Sequence, residues 1–86
     1  MTKKEKEFLF KLLETPSPVG FEMGGQRLWA SYIGKTANSV ECDAYGSTWA
    51  TLGSGKKSVM LAAHADEIGY MVKQITREGF LRIDRL

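Results

Sequence analysis

The sequence predicts an α/β fold in which two helices precede a series of strands. In the first 34 residues, apolar side chains recur three to four positions apart, which is the spacing of one helix face. From about residue 39 onward, apolar and polar residues alternate, which is typical of strands. Short segments containing glycine or proline separate these regions, so the predicted order is helix, helix and then five strands.

The first helix is predicted from Lys3 to Glu14. Thr2-Lys3-Lys4-Glu5 fits a capping box, in which Thr2 and Glu5 satisfy free backbone amides at the helix start. The helix ends before Pro16, because proline disfavours helical geometry in the residue before it.

The second helix is predicted to start near Phe21 and to stop at Gly34. Gly24 and Gly25 each cost roughly 1 kcal/mol relative to alanine inside a helix. They indicate that the helix packs closely on another segment there, or that it begins later. Two aromatic residues continue its apolar face and are predicted to be core rather than substrate pocket, namely Trp29 and Tyr32.

Two short strands are predicted around a turn at 43–46, followed by a third strand and a hairpin. Trp49 faces away from its strand neighbours and is expected to be partly exposed or to lie at a domain contact. Cys42 is predicted to be a small buried residue rather than a nucleophile. The apolar run 58–63 predicts a strand buried on both faces. Residues 69–75 and 80–83 then predict a hairpin.

Composition limits the possible partners and locations. The net charge is +2 with both signs mixed and no arginine-rich stripe, so nucleic acid is not predicted as a partner. The longest apolar run, 59–63, is too short for a membrane span or a signal peptide core, so no membrane partner is predicted. A single cysteine excludes an internal disulfide and favours a cytoplasmic location. The chain stops after the last predicted strand without a terminating signal, and we expect it to be a piece of a longer protein.

His64, the single histidine, follows the predicted buried strand and is a candidate metal ligand. In a strand, residues i and i+2 share a face, so Asp66 could accept a hydrogen bond from one ring nitrogen of His64. The other nitrogen would then be held for a metal, as in many zinc sites. The alternative is a buried core histidine that shares a hydrogen bond with Asp66.

A count of ligands limits the metal hypothesis. A zinc site needs three or four protein ligands. The chain offers one histidine, one cysteine and scattered acids, and residues 41–43 lie far from His64 without a ligand spacing. A metal function therefore requires ligands from elsewhere.

Four segments carry a resemblance to a known family: "LLETPSPVGFE" (12–22), "CDAYGSTWATLG" (42–53), "VMLAAHADEIGYMV" (59–72) and "GFLRI" (79–83). In this order they resemble the N-terminal part of a family of cytosolic metallo-aminopeptidases. Its members include glutamyl, deblocking and large tetrahedral aminopeptidases, and some have been described as endoglucanases or cellulases. The resemblance covers essentially the whole chain and is strongest at 63–69.

The resemblance implies that residues 1–70 form the N-terminal part of a metallopeptidase catalytic domain. This part would hold the two helices and a partial zinc-peptidase-like mixed sheet. Residues 71–86 would begin an inserted β-rich dimerisation domain with their first hairpin. Two divalent metal ions, zinc or cobalt, are implied. His64 matches the first metal-ligand position, and Asp66 matches the catalytic-site aspartate that orients it. The implied mechanism is metal-assisted peptide hydrolysis with a glutamate as general base.

The chain departs from the family pattern in three respects. The bridging aspartate, the general-base glutamate and the remaining ligands match no residue here, so the chain alone is expected to be inactive and to bind metal weakly. Glu67 does not match the general base and is interpreted as a surface or structural acid. Ser47 replaces the usual asparagine of a turn and is interpreted as a tolerated variant.

The first functional hypothesis is therefore a metal-dependent aminopeptidase that acts on peptides and forms a homo-oligomer. The alternative is a non-catalytic remnant that serves as an assembly or interaction module through exposed strand edges. A glycan hydrolase would need two carboxylates flanking a glycosidic bond, and the sequence marks no such pair. Substrate preference, the metal used and the oligomeric state are left open.

Overall fold

The computed structural model describes all residues 1–86, with two helices followed by two separate hairpins. The elements are α1 (Lys3–Glu14), α2 (Met23–Ile33), β1 (Ser39–Cys42), β2 (Thr48–Thr51), β3 (Tyr70–Ile75) and β4 (Leu81–Arg85). β1 pairs with β2 and β3 pairs with β4, both antiparallel. The two helices and both hairpins confirm the α/β prediction in its general form.

The predicted capping box starts α1. The hydroxyl of Thr2 accepts a hydrogen bond from the Glu5 amide at 3.2 Å, and the Glu5 carboxylate accepts one from the Thr2 amide at 2.6 Å. These two bonds satisfy amides that have no partner inside the helix. The helix also ends at Glu14 as predicted.

Helix α2 begins at Met23, two residues later than predicted, and it also packs closely on another segment. A β-carbon added at Gly25 would stand 2.6 Å from the hydroxyl oxygen of Ser17, so no larger residue fits there without movement. Further along, the ring of Tyr32 stacks on Phe8 of α1 with centroids 3.7 Å apart. Tyr32 thus takes part in the contact between the helices, and Trp29 beside it is half-buried.

The two short strands predicted around the turn form the β1–β2 hairpin, with Val40 opposite Ala50. Its turn is held by Asp43, whose carboxylate accepts hydrogen bonds from the amides of Tyr45 and Ser47, both at 2.9 Å. Trp49 is 44% exposed, as its position in the alternation predicts. The predicted burial of Cys42 is wrong: the residue lies at the end of β1 in a two-stranded sheet, and it is exposed.

The β3–β4 hairpin closes through a turn in which Gly79 adopts a φ of +85°. Val72 lies opposite Ile83, and an irregularity between Val72 and Gln74 shifts the register. All residues of both strands are exposed. The domain boundary proposed at residue 70 falls where β3 begins, and it stays a prediction.

The predicted buried strand at 58–63 is wrong, because these residues form no strand. Val59, Met60 and Leu61 are 90%, 87% and 94% exposed. A strand exists only where a neighbour accepts its hydrogen bonds, and no segment of this chain pairs with residues 58–63. The chain accordingly forms two antiparallel two-stranded sheets in place of the expected mixed sheet, with one isolated parallel bridge between Pro18 and Glu67.

The chain is elongated and has almost no buried interior. Only two residues are buried, Ser17 and Gly25, and no large apolar side chain is among them. The radius of gyration is 17.4 Å, whereas a compact chain of this length has about 12 Å. None of the helices has the length and apolar character needed to cross a membrane. The elements are therefore held by local bonds and a few contacts rather than by a core.

Candidate functional site

His64 and Asp66 form the hydrogen-bonded pair that their spacing predicts. Nδ1 of His64 lies 2.9 Å from Oδ1 of Asp66 and 3.0 Å from its backbone oxygen. A backbone oxygen and an ionised carboxylate can only accept hydrogen bonds, so Nδ1 of His64 is the donor. In the neutral ring, Nε2 then keeps a free lone pair. The His64 side chain is 84% exposed, which contradicts the alternative of a buried core histidine.

Glu67, the residue after this pair, joins the segment to the loop before α2. Its carboxylate accepts a hydrogen bond from the Ser17 amide at 2.8 Å, and its own amide donates to the Ser17 carbonyl at 2.9 Å. The carboxylate thus engages a backbone amide, in agreement with its interpretation as a structural acid.

No local pattern in the sequence identifies Ser17 as the partner of Glu67, because 50 positions separate the two residues. One signal was present in the sequence. Ser17 stands between Pro16 and Pro18, which lack N–H groups, so its amide is the one donor of that short stretch and needs an acceptor if it is buried.

Gly69 allows the segment to pass close to the same loop. A β-carbon at Gly69 would lie 2.8 Å from the β-carbon of Pro18 and 3.1 Å from a methyl group of Leu86. The glycine is therefore needed for close packing against Pro18. Pro18 directly follows Ser17, so this packing supports the contact between Glu67 and Ser17.

The histidine pair lines a polar cleft of about 290 Å³ between the start of α2 and the β1–β2 turn. Its lining comprises Glu22, Gln26, Tyr45, Gly46, Ser47, Thr48, Ala63, His64, Ala65 and Asp66. The carboxylate of Glu22 accepts a hydrogen bond from the Gly20 amide at 2.7 Å. A second cavity of about 580 Å³ also includes His64 and Asp66 in its lining. The pair is thus open to a ligand.

The residues of this chain fit one corner of a metal site and not a complete one. No group of three or more His, Cys, Asp or Glu side chains is placed to hold a metal ion. A zinc site requires three or four protein ligands, and Nε2 of His64 supplies one. Cys42 and its acidic neighbours form no such group with His64, and the carboxylate of Asp43 holds its own turn.

The chain is similar to known aminopeptidases in sequence and in structure. It is 35% identical over 78 residues to lysyl aminopeptidase of Pyrococcus furiosus. The aligned residues make up 90% of this chain and 22% of that protein. The crystal structure of a TET aminopeptidase from a marine sediment thaumarchaeon superposes with a TM-score of 0.83 at 30% identity. That match covers 99% of this chain and 24% of the other. The chain is therefore similar, over nearly its whole length, to one part of these aminopeptidases.

A family model also matches part of the sequence. The M42 glutamyl aminopeptidase model matches residues 46–86, the part that includes the His64–Asp66 pair. The chain is homologous to the M42 glutamyl aminopeptidases, and the resemblance found from the sequence is confirmed. It spans about a fifth of the length of the relatives it matches, 22% in the case of the lysyl aminopeptidase.

Proposed function

We propose that this chain is the histidine-bearing part of an M42-type aminopeptidase, which removes N-terminal residues from peptides with the help of bound metal. The observation that carries the proposal is the 2.9 Å hydrogen bond between Nδ1 of His64 and the Asp66 carboxylate. This bond fixes the ring and leaves Nε2 as a ligand atom. Similarity to aminopeptidases over nearly the whole chain supports it.

Two divalent metal ions, zinc or cobalt, would polarise the peptide carbonyl and lower the pKa of the attacking water when bound. The chain's own contribution would be Nε2 of His64 as a ligand and Asp66 as the carboxylate that orients its ring. The other ligands and the general base match no residue of this chain, so we expect the 86 residues alone to be inactive.

The proposal extends to organisation and location. Residues 1–70 would belong to the catalytic domain, and 71–86 would begin a dimerisation domain. This division is supported by the separation of the β3–β4 sheet from the β1–β2 sheet. The single cysteine favours a cytoplasmic location.

The test is peptidase activity of the protein produced from its own gene. His64→Ala and chelation should both abolish hydrolysis of aminoacyl substrates, and zinc or cobalt should restore the chelated enzyme. Lys4→Ala, on the exposed side of α1, is the matched control and should keep full activity. Peptidase activity that survives His64→Ala would contradict the assignment of the site.

The mass of that protein separates the two hypotheses before any assay. A subunit much heavier than 9.6 kDa under denaturing conditions would mean that further residues of the same chain can provide the missing metal ligands. A subunit of 9.6 kDa would mean that any metal site must be completed by another chain.

A non-catalytic assembly role is the second candidate. It is favoured by the β3–β4 hairpin, where Met71, Val72 and Ile83 are 60%, 53% and 50% exposed. A two-stranded sheet also leaves both outer edges free to pair with another chain. This role predicts an oligomer that chelators do not dissociate.

A further inference from the structure

Glu67 has no part in the proposed hydrolysis, yet its two bonds to Ser17 span 50 positions of sequence. We propose that Glu67 is a positioning residue, which fixes the His64–Asp66 pair against the start of α2 by binding the backbone of Ser17. The role of this anchoring in catalysis rests on the proposed function. The two bonds to Ser17 themselves do not depend on a bound metal.

The segment that carries His64 has no other support on its N-terminal side. Residues 58–66 form no strand, and the side chains of His64 and Asp66 are 84% and 41% exposed. The favourable free energy of a hydrogen bond between exposed side chains is largely offset by the entropy lost when those side chains are ordered. The pair therefore needs a fixed backbone, and the nearest fixed point is the bridge made by the next residue, Glu67.

The other end of the bridge is itself held in place. Ser17 is 7% exposed, and Gly25 of α2 lies so close that a β-carbon there would be 2.6 Å from its hydroxyl. The Ser17 amide is the one N–H donor between two prolines, so it depends on the Glu67 carboxylate for a partner. A bond from an amide to a charged acceptor is stronger than one between neutral groups. Glu67 thus connects the histidine segment to the closely packed contact between Ser17 and Gly25.

The tautomer of His64 reports this connection directly. In the protein produced from its own gene, kept free of metal, the ring nitrogen signals of His64 in ¹⁵N NMR are assigned by their loss in His64→Ala. The bond to Asp66 should hold the neutral ring mainly as the Nδ1–H form. Glu67→Ala should lower the ratio of Nδ1–H to Nε2–H severalfold. Glu67→Gln, whose amide oxygen can still accept from Ser17, should give an intermediate ratio.

Two control variants separate positioning from general loss of stability. Ser17→Ala removes the hydroxyl and its 3.3 Å bond to the Thr15 carbonyl but keeps both backbone bonds to Glu67. Glu22→Ala removes a similar carboxylate–amide bond, at 2.7 Å to Gly20, elsewhere in the cleft. Both should leave the tautomer ratio unchanged.

Two results would overturn the proposal: a mainly Nε2–H ring in the unaltered chain, or an Nδ1–H ring that persists in Glu67→Ala. If the amide spectrum of Glu67→Ala shows that this variant is unfolded, the test uses Glu67→Gln instead. An unchanged ratio of Nδ1–H to Nε2–H in Glu67→Gln would then overturn the proposal. The measurement needs no metal and no substrate. Failure of the peptidase assay and failure of the anchoring are therefore separate outcomes.

Discussion

Gly25 and Ser17 are packed so closely that the glycine has no room for a side chain. A β-carbon at Gly25 would lie 2.6 Å from the Ser17 hydroxyl oxygen, well inside van der Waals contact. These are the two buried residues of the chain. The contact between the loop 15–18 and the start of α2 is accordingly the most constrained place in the structure, and it lies directly under the bridge to Glu67.

Gly25→Ala should destabilise the protein produced from its own gene by about 1–3 kcal/mol, because the new methyl group forces Ser17 away from the helix. Gly24→Ala is the matched control, since a β-carbon there meets only a methyl group of Thr15 at 3.4 Å. The control should be neutral or stabilise the helix by up to about 1 kcal/mol. Urea unfolding followed by circular dichroism measures both, and equal effects in the two variants would show that the Ser17 contact is unimportant.

Thr2→Ala should weaken the start of α1 by about 1 kcal/mol, because the Glu5 amide loses its acceptor. Lys3→Ala is the comparison, since Lys3 and Glu7 are 4.0 Å apart and largely exposed. Such a pair contributes roughly 0.3–0.5 kcal/mol or less. Amide hydrogen exchange in the first turn of α1 should accelerate in Thr2→Ala alone, and comparable acceleration in Lys3→Ala would argue against the capping box.

Asp66→Asn should lower metal affinity at His64 by about 10-fold or more in the metal-loaded protein from its own gene, because a neutral amide holds the ring less firmly than a carboxylate. Asp84→Asn removes an equal charge from the hairpin, where Asp84 pairs with Lys73 at 3.1 Å. Competition with a chromogenic chelator measures both affinities. An equal fall in Asp84→Asn would mean that overall charge, rather than the contact with His64, determines affinity.

Ile83→Asp should reduce self-association if the β3–β4 hairpin takes part in assembly. Ile83 lies opposite Val72, and the two side chains are about half exposed. A charge between them would have to be desolvated in any contact that covers this face. Sedimentation velocity across a concentration series gives the result, with Lys73→Ala as a hairpin control. Unchanged association in Ile83→Asp would exclude this face of the hairpin.

Local signals made most of the elements predictable. The capping box at Thr2, the turn at Asp43 and the glycine at position 79 each fix their neighbours through bonds of short range. The strand at 58–63 could not be predicted correctly, because an apolar run specifies a strand only when another segment pairs with it. The exposure of Cys42 was missed for a related reason, since burial depends on what covers the sheet.

The candidate site was predictable in part. The two-residue spacing of His64 and Asp66 was enough to predict their hydrogen bond. The role of Glu67 was not predictable from its neighbours, because its partner lies 50 positions earlier in the chain. The prolines on either side of Ser17 show that its amide needs an acceptor, and only the fold shows which acceptor it finds.

The bridge between Ser17 and Glu67 also sets an order in which the chain acquires its structure. The hairpin bond between Phe80 and Thr76 closes a span of 4 positions, whereas the bridge closes one of 50. Closing the longer loop costs about 2 kcal/mol more in chain entropy. The helices and hairpins should therefore form first and the bridge last, and the bridge should be the first contact to open. His64 would then gain its fixed orientation in the final step of folding.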